Sequence, residues 1–297
     1  MGRSLLVALF LPLLFLASSC AGVIYTPGPP GPVGTAGPSG PAWGPGPDAS
    51  VEVSFFYGDL SPYGHWFQVS PYGWVWAPHG TAADWRPYTV GRWVYTSYGW
   101  TWVSEWRWGW APFHYGRWVW HPPQGWIWVP GDVWAPAWVT WRYGPGWVGW
   151  APLPPGVSWR AGVGLSLGNV DLDVAVGSGG WVFVPERSFL DRRPLRQAVP
   201  VSRNREIFRQ TRDVTRYEAR DGHVLDRGVP VEQVERNLRQ AVPRYRVEDL
   251  GAPTRPSTRV KKDRVRVYRP EPTRKPAAQE PPGRQPRKAV PRKPPAP

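Results

Sequence analysis

The chain has 297 residues, 36 Lys+Arg against 22 Asp+Glu for a net charge of +14, and 22 Trp, 39 Pro and 33 Gly but a single Cys. One cysteine excludes an intrachain disulfide framework and a cysteine-built zinc site. Proline and glycine crowd into particular stretches, which excludes one continuous fold over the whole length.

Residues 1–20 open with Arg3, continue through an apolar run at 5–17 and end in Ser18-Ser19-Cys20, the layout of a secretory signal. The apolar run contains Pro12 and has 13 residues, whereas a membrane-spanning helix takes about twenty. Leu16-Ala17-Ser18-Ser19-Cys20 resembles a bacterial lipobox, although Ala17 stands where Leu is commoner. The resemblance implies that Cys20 is acylated, becomes the new N-terminus and joins the protein to a membrane. Ala21 lacks the Asp that marks inner-membrane retention in lipoproteins, so the expectation is an exported protein on the outer membrane.

Residues 21–50 hold 8 Pro and 8 Gly and read as a tether, able to reach roughly 90 Å when extended. Glycine occupies every third position over 28–40, the collagen period, but five triplets are too few for a stable triple helix.

Residues 51–160 hold 20 of the 22 tryptophans, in a repeat. Gly64-His65-Trp66-Phe67, Gly91-Arg92-Trp93-Val94 and Gly116-Arg117-Trp118-Val119 recur 27 and 25 residues apart. Their partners, Gly73-Trp74-Val75-Trp76, Gly99-Trp100-Thr101-Trp102 and Gly125-Trp126-Ile127-Trp128, recur every 26. A shorter fourth copy runs over 138–150. Alternating aromatic and β-branched residues around Gly/Pro/Ser/Tyr loops predict a β-hairpin per copy. The expected pairs are Trp66 with Trp76, Trp93 with Trp102, Tyr95 with Trp100, Trp118 with Trp128 and Trp120 with Trp126, across connections of four (96–99) and five residues. That register places tryptophans on one face and Phe67, Val75, Val94, Thr101, Val119 and Ile127 on the other. Apolar on both sides, such a sheet must meet a second layer. The predicted fold is all-β, an antiparallel meander of Trp-rich hairpins closed as a sandwich, barrel or short roll.

Residues 161–252 read as a partly ordered, mixed appendage. The runs 163–167, 170–176 and 181–184 alternate like strands. Past Pro185 the segment turns arginine-rich. A hairpin is expected around Asp221-Gly222, and Val231, Val234 and Leu238 after Pro230 predict a short amphipathic helix. Residues 253–297 carry 14 Lys+Arg against 3 acids, net +11, with 12 prolines, and predict a disordered basic tail.

The stretches Val-Ser-Phe-Phe-Tyr-Gly-Asp-Leu from Val53, Tyr-Gly-Trp-Val-Trp from Tyr72, Gly-Arg-Trp-Val-Tyr from Gly91 and Trp-Ala-Pro-Leu-Pro-Pro-Gly from Trp150 resemble an uncharacterised bacterial Trp-rich family, a domain of unknown function with some members labelled FecR-like. The likeness spans about 50–190 and includes Trp-Val-Phe-Val-Pro-Glu-Arg from Trp181. It implies an exported, all-β domain without an assigned activity, and it carries over no catalytic or binding residue.

No catalytic residue, metal site or cofactor is expected. His65, His79, His114, His121 and His223 show no ligand spacing, and His65 takes the place of Arg92 and Arg117 in its repeat. Nothing in the sequence brings together two of Glu52, Asp59, Asp84, Glu105 and Asp132, so a glycosidase remains a remote reading. Trp93, Trp100, Trp102, Trp118, Trp120, Trp126 and Trp128, with Arg92 and Arg117, are the candidate ligand-stacking residues for a glycan; the competing role for each Trp is core. A repeat segment of net +1 behind an export signal argues against nucleic acid. The tail suits anionic envelope polymers. The leading expectation is a non-enzymatic envelope lipoprotein with a structural or interaction role, and the second is a peptidoglycan- or exopolysaccharide-binding module.

Overall fold

Each repeated motif becomes a strand. The computed structural model describes residues 49–160, 163–251 and 258–272; Cys20, residues 21–48 of the tether and residues 273–297 lie outside the described residues. Four antiparallel hairpins pair β1 (Gly64–Val69) with β2 (Gly73–Pro78), β3 (Gly91–Thr96) with β4 (Gly99–Ser104), β5 (Arg117–His121) with β6 (Gly125–Val129), and β7 (Val139–Gly144) with β8 (Trp147–Pro152). Trp66 faces Trp76, Trp93 faces Trp102, Tyr95 faces Trp100, Trp118 faces Trp128 and Trp120 faces Trp126, all as expected. The connections are tighter than expected, because Thr96 pairs with Gly99 and His121 with Gly125. Gly99 makes this possible with φ +86, a conformation costly for any other residue.

The glycine that opens the first strand of a repeat has a different role. A side chain on Gly64, Gly91 or Gly116 would overlap the opposite strand's carbonyl and the indole of Trp76, Trp102 or Trp128 respectively. The recurring Gly-x-Trp is therefore the space beneath a neighbouring tryptophan, which explains why the two motifs repeat together.

The order of hairpins departs from a simple meander. The first and third share one sheet, β1-β2-β6-β5, joined where Trp76 meets Trp128. The second and fourth are completed by strands from beyond residue 160. β9 (Ser158–Arg160) and β10 (Gly164–Ser166) form a separate two-stranded pair, and the completing strands are β11 (Val182–Pro185), β12 (Arg212–Asp213), β13 (Tyr217–Arg220), β14 (His223–Asp226), β15 (Arg244–Asp249), β16 (Thr258–Lys261) and β17 (Arg264–Val267). β11 and β12 flank the fourth hairpin, giving β11-β8-β7-β12, and the second lies within β13-β14-β4-β3-β15-β17-β16. β14 meets β4, and β15 meets β3, in parallel. The segment expected as an appendage is thus hydrogen-bonded into the repeat domain.

All three larger sheets turn tryptophans toward one aromatic core. Trp93 lies 4.5 Å from Trp141 and 5.1 Å from Trp102, ring to ring, and Trp76 meets Trp108 edge-on at 5.1 Å. Tilted and edge-to-face contacts of this kind favour the ring quadrupoles. The second layer required by the other apolar face is partly supplied by the C-terminal hairpin, where Val265 and Val267 pack with Val94 and Val103. Ordered structure over 258–267 corrects the expectation that the whole of 253–297 is a tail.

Helices account for the remaining differences. α1 (Ala49–Leu60) was not expected; Val53, Phe56 and Leu60, at helical spacing, are buried, and the Trp76 indole donates to the Leu60 carbonyl at its end. The run 170–176, expected as a strand, lies largely in α2 (Leu172–Gly180), interrupted at Gly177 with φ 60 and ψ 168. Its alternating face is covered only in part, since Leu172 is buried but Val174 is exposed. α3 (Asn204–Gln210) was also not expected, whereas α4 (Val231–Leu238) and the hairpin turning at Asp221-Gly222, both at positive φ, are as expected.

Candidate functional site

The candidate stacking rows face inward. Trp93, Trp100, Trp102, Trp118 and Trp128 are at most 2% exposed and Trp126 is 8% exposed. Several indoles hold backbone carbonyls across the core: Trp100 Nε1 donates to Val229 O at 2.8 Å, Trp118 to Pro112 O at 2.7 Å and Trp128 to Tyr115 O at 2.8 Å. These six tryptophans are core and offer no platform for sugar rings. With so little Leu and Ile in the repeats, Trp is what fills the interior. Trp120 alone of the seven is open, 53% exposed, edge-on to Trp126 at 5.9 Å.

Neither arginine lines an exposed Trp row. The Arg117 guanidinium sits 3.9 Å above the buried Trp138 ring and donates through Nε to Val157 O at 3.0 Å. Burial lowers its pKa to about 10, and it acts as an internal strut. Arg92 is half-buried at a hollow of about 60 Å³ with Tyr95, Leu190, Val242 and Tyr245. His65 stacks on Phe67 and on His79, with Nδ1 to Nε2 3.2 Å, rather than serving only as a neighbour of Trp66. Among the described residues no group of three metal-ligating side chains occurs, and no helix is long and apolar enough to cross a membrane.

Asp226 and His114 are among the ionisable groups that lie deep in the core. Asp226 is fully buried; its carboxyl accepts from Trp141 Nε1 at 2.9 Å through both oxygens and from Gly228 N at 3.0 Å. Burial pushes its pKa up to about 8, against those donors and the Arg227 charge. Its backbone pairs with Gly99, where a side chain would overlap the Asp226 carbonyl. Asp226 therefore fastens the later strands to the repeat core. His114 is stacked on Trp134 with Nδ1 2.9 Å from Ala135 O, and burial lowers its pKa to about 4, so it is neutral at pH 7.

Open chemistry lies instead around α3. On one side is a hollow of about 210 Å³ lined by Ser178, Trp181, Asn204, Arg205, Phe208 and Arg209, with Gly177. On the other is a cleft of about 880 Å³ where Tyr143, Arg209, Arg212, Gln233, Arg236 and Asn237 meet. Arg209 borders both. The walls are fixed from behind: buried Arg142 lies 3.5 Å from the Phe208 ring and donates to Thr211 O at 2.5 Å and Phe208 O at 3.1 Å. Tyr143 donates to buried Glu186 at 2.5 Å, and Asn237 Nδ2 donates to the Tyr143 oxygen at 2.9 Å. Burial, then Glu186, holds the Tyr143 phenol well above its usual range. Among the described residues no carboxylate lines the hollow, the cleft or the recess beside Arg92. Among the described residues Arg209, Arg212 and Arg236 form no salt bridge.

Sequence reasoning gave no residue of this region a functional role. The segment looked arginine-rich and weakly periodic; its one local signal was Arg205, Arg209 and Arg212 at near-helical spacing.

Residues 57–157 match a family of unknown function, DUF6600, within the 50–190 over which the resemblance was expected. No curated protein and no solved structure matches the chain. The family segment contains all four hairpins; of the hollow and cleft it contributes Tyr143, Gly144 and Pro145.

Proposed function

Since the family matched by the repeat segment has no stated function, we propose from the chain's own layout that the protein is a non-enzymatic lipoprotein of the cell envelope. In this reading it is exported, acylated at Cys20, held on the outer membrane by the lipid, and has an interaction role. The observation that carries the interaction role is the division of labour between tryptophan and arginine. The Trp faces are consumed in a rigid scaffold, while Arg209, Arg212 and Arg236 stand at the surface without acidic partners among the described residues. Unpaired cations beside a cleft favour an anionic partner, and the basic residues 253–297 add charge of the same sign.

Metabolic palmitate labelling and membrane fractionation of wild type and Cys20→Ala test the anchor. Label and membrane association that vanish with Cys20→Ala support it; a wild-type chain without label, or with membrane association independent of Cys20, overturns it.

Glycan recognition is a second reading, favoured by Trp120, the one open indole of the seven candidate tryptophans.

A further inference from the structure

The first repeat departs from the others at two positions that meet in space. His65 stands where the later repeats carry Arg92 and Arg117, and His79, three residues past Trp76, stands where the second repeat carries Glu105 and the third Gly131. The register makes these two positions diagonal neighbours across a hairpin, since His65 faces Ala77 and Arg92 faces Val103. In the second repeat they hold an arginine and a carboxylate, and the Glu105 charge favours the Arg92 guanidinium. In the first they hold two imidazoles, both exposed, with His65 Nδ1 3.2 Å from His79 Nε2.

Both rings are held by the hairpin. His65 lies on β1 with its ring 5.0 Å from Phe67, and the His79 backbone, directly after β2, donates to Tyr63 O at 2.8 Å. The imidazoles are within 17° of parallel with centroids 5.3 Å apart, so nitrogens only 3.2 Å apart sit on the near edges of the two rings. An N–H···N hydrogen bond accounts for that approach when one of these nitrogens carries the hydrogen. With the hydrogen on the outward nitrogen of each ring, both near nitrogens present lone pairs. Imidazole nitrogen binds zinc at about 2.0–2.1 Å, and at that reach two nitrogens 3.2 Å apart subtend about 100° at the metal, between the square-planar and tetrahedral angles. Burial, then the His79 charge, lowers the His65 pKa, which favours the neutral ring that a metal requires.

We infer that His65 and His79 together bind one divalent transition-metal ion of the copper, nickel or zinc class, through His65 Nδ1 and His79 Nε2, with water in the remaining coordination positions. Imidazole suits these ions, whereas magnesium takes oxygen ligands. Neither the arginine cleft nor the lipid anchor enters into this site. It is tested by calorimetric titration of the mature chain, in detergent and without an affinity tag, with copper(II), nickel(II), zinc(II) and magnesium chlorides.

The tightest site is expected to take one equivalent of each transition metal, copper most tightly, and to bind magnesium at least about a hundredfold more weakly than zinc. His65→Gln and His79→Gln are each expected to weaken that site about tenfold or more, and each about as fully as the two together, because a single imidazole forfeits the second, intramolecular contact. The double change His65→Arg with His79→Glu installs the pair of the second repeat; it is expected to fold, as that pair does there, and to lose the site. His121→Gln, on β5 with its ring bonded to Gln124, is expected to leave the site unchanged. Should a variant not fold, electron paramagnetic resonance of the wild-type chain with one equivalent of copper(II) decides, with splitting from two imidazole nitrogens expected. Absence of a tight site, indifference to either substitution, loss of only half the binding in each single variant, equally tight magnesium, or copper bound without imidazole nitrogen would each overturn the inference and leave the two rings joined by a hydrogen bond alone.

Discussion

Replacing Asp226 by Asn should stabilise this protein at neutral pH, although it alters a fully buried, hydrogen-bonded side chain. The carboxyl has an ordinary pKa of 3.8 and is raised to about 8 in the fold. Below the lower value both folded and unfolded chains hold the proton, and the native state has its full advantage. Between the two values the unfolded chain releases the proton and the native one retains it, so stability falls as pH rises. Each unit is worth about 1.4 kcal/mol, which sets an upper limit of roughly 4 kcal/mol lost by pH 7. Asn is neutral throughout, and its Oδ1 still accepts from Trp141 and Gly228, at a pH-independent offset of about 1 kcal/mol for the altered hydrogen bonding. Urea unfolding of wild type and Asp226→Asn at pH 4, 6, 7 and 8 measures the difference. The variant's advantage should grow steadily with pH by a few kcal/mol and level off above about 8. A difference that stays constant from pH 4 to 8 would refute the reasoning.

Three other perturbations probe separate parts of the fold. His114, with its pKa lowered from 6.5 to about 4, leaves the unfolded chain alone able to bind a proton between those values; stability should therefore fall by up to roughly 3 kcal/mol as pH drops through that window, and His114→Asn should lack this acid sensitivity in the same urea titrations. Gly99→Ala and Gly73→Ala both place a side chain at positive φ, +86 and +74, costing roughly 1–2 kcal/mol of strain. Only Gly99→Ala also strikes the Asp226 backbone, so its urea midpoint should fall well below that of Gly73→Ala; equal midpoints would mean that the β4–β14 junction is slack. Truncation after Leu250 removes the hairpin whose Val265 and Val267 pack with Val94 and Val103. The shortened chain should melt at lower temperature and bind a hydrophobic dye, whereas an unchanged melt would return residues 258–267 to the status of a tail.

Much of the repeat domain is decided locally, which is why it was legible in residue order. Alternation places Trp93 and Trp102 on one face and Val94 and Thr101 on the other whatever else the chain does, and a glycine able to adopt φ +86 sets where β4 begins. The helix Val231–Leu238 and the Asp221-Gly222 turn were equally readable, because spacing and turn chemistry act within a few residues. The 170–176 run misled for the complementary reason. Alternation makes a strand only when another layer covers the whole of one face, and here Leu172 is covered while Val174 is not.

The candidate site depended on what no local pattern contains. Whether a Trp row is core or platform turns on what lies opposite, and opposite Trp93 stands Trp141, 48 positions along the chain. The hollow and cleft at α3 gather Tyr143, Trp181, Asn204, Arg209 and Arg236, brought together because β11 and β12 close on either side of the fourth hairpin. By itself the sequence determined the hairpins, their register and the tryptophan faces, since these follow from the period of a strand and the freedom of glycine. Only tertiary structure decided that those faces close on one another and that the surface chemistry falls to arginine, because burial is a property of distant segments once packed.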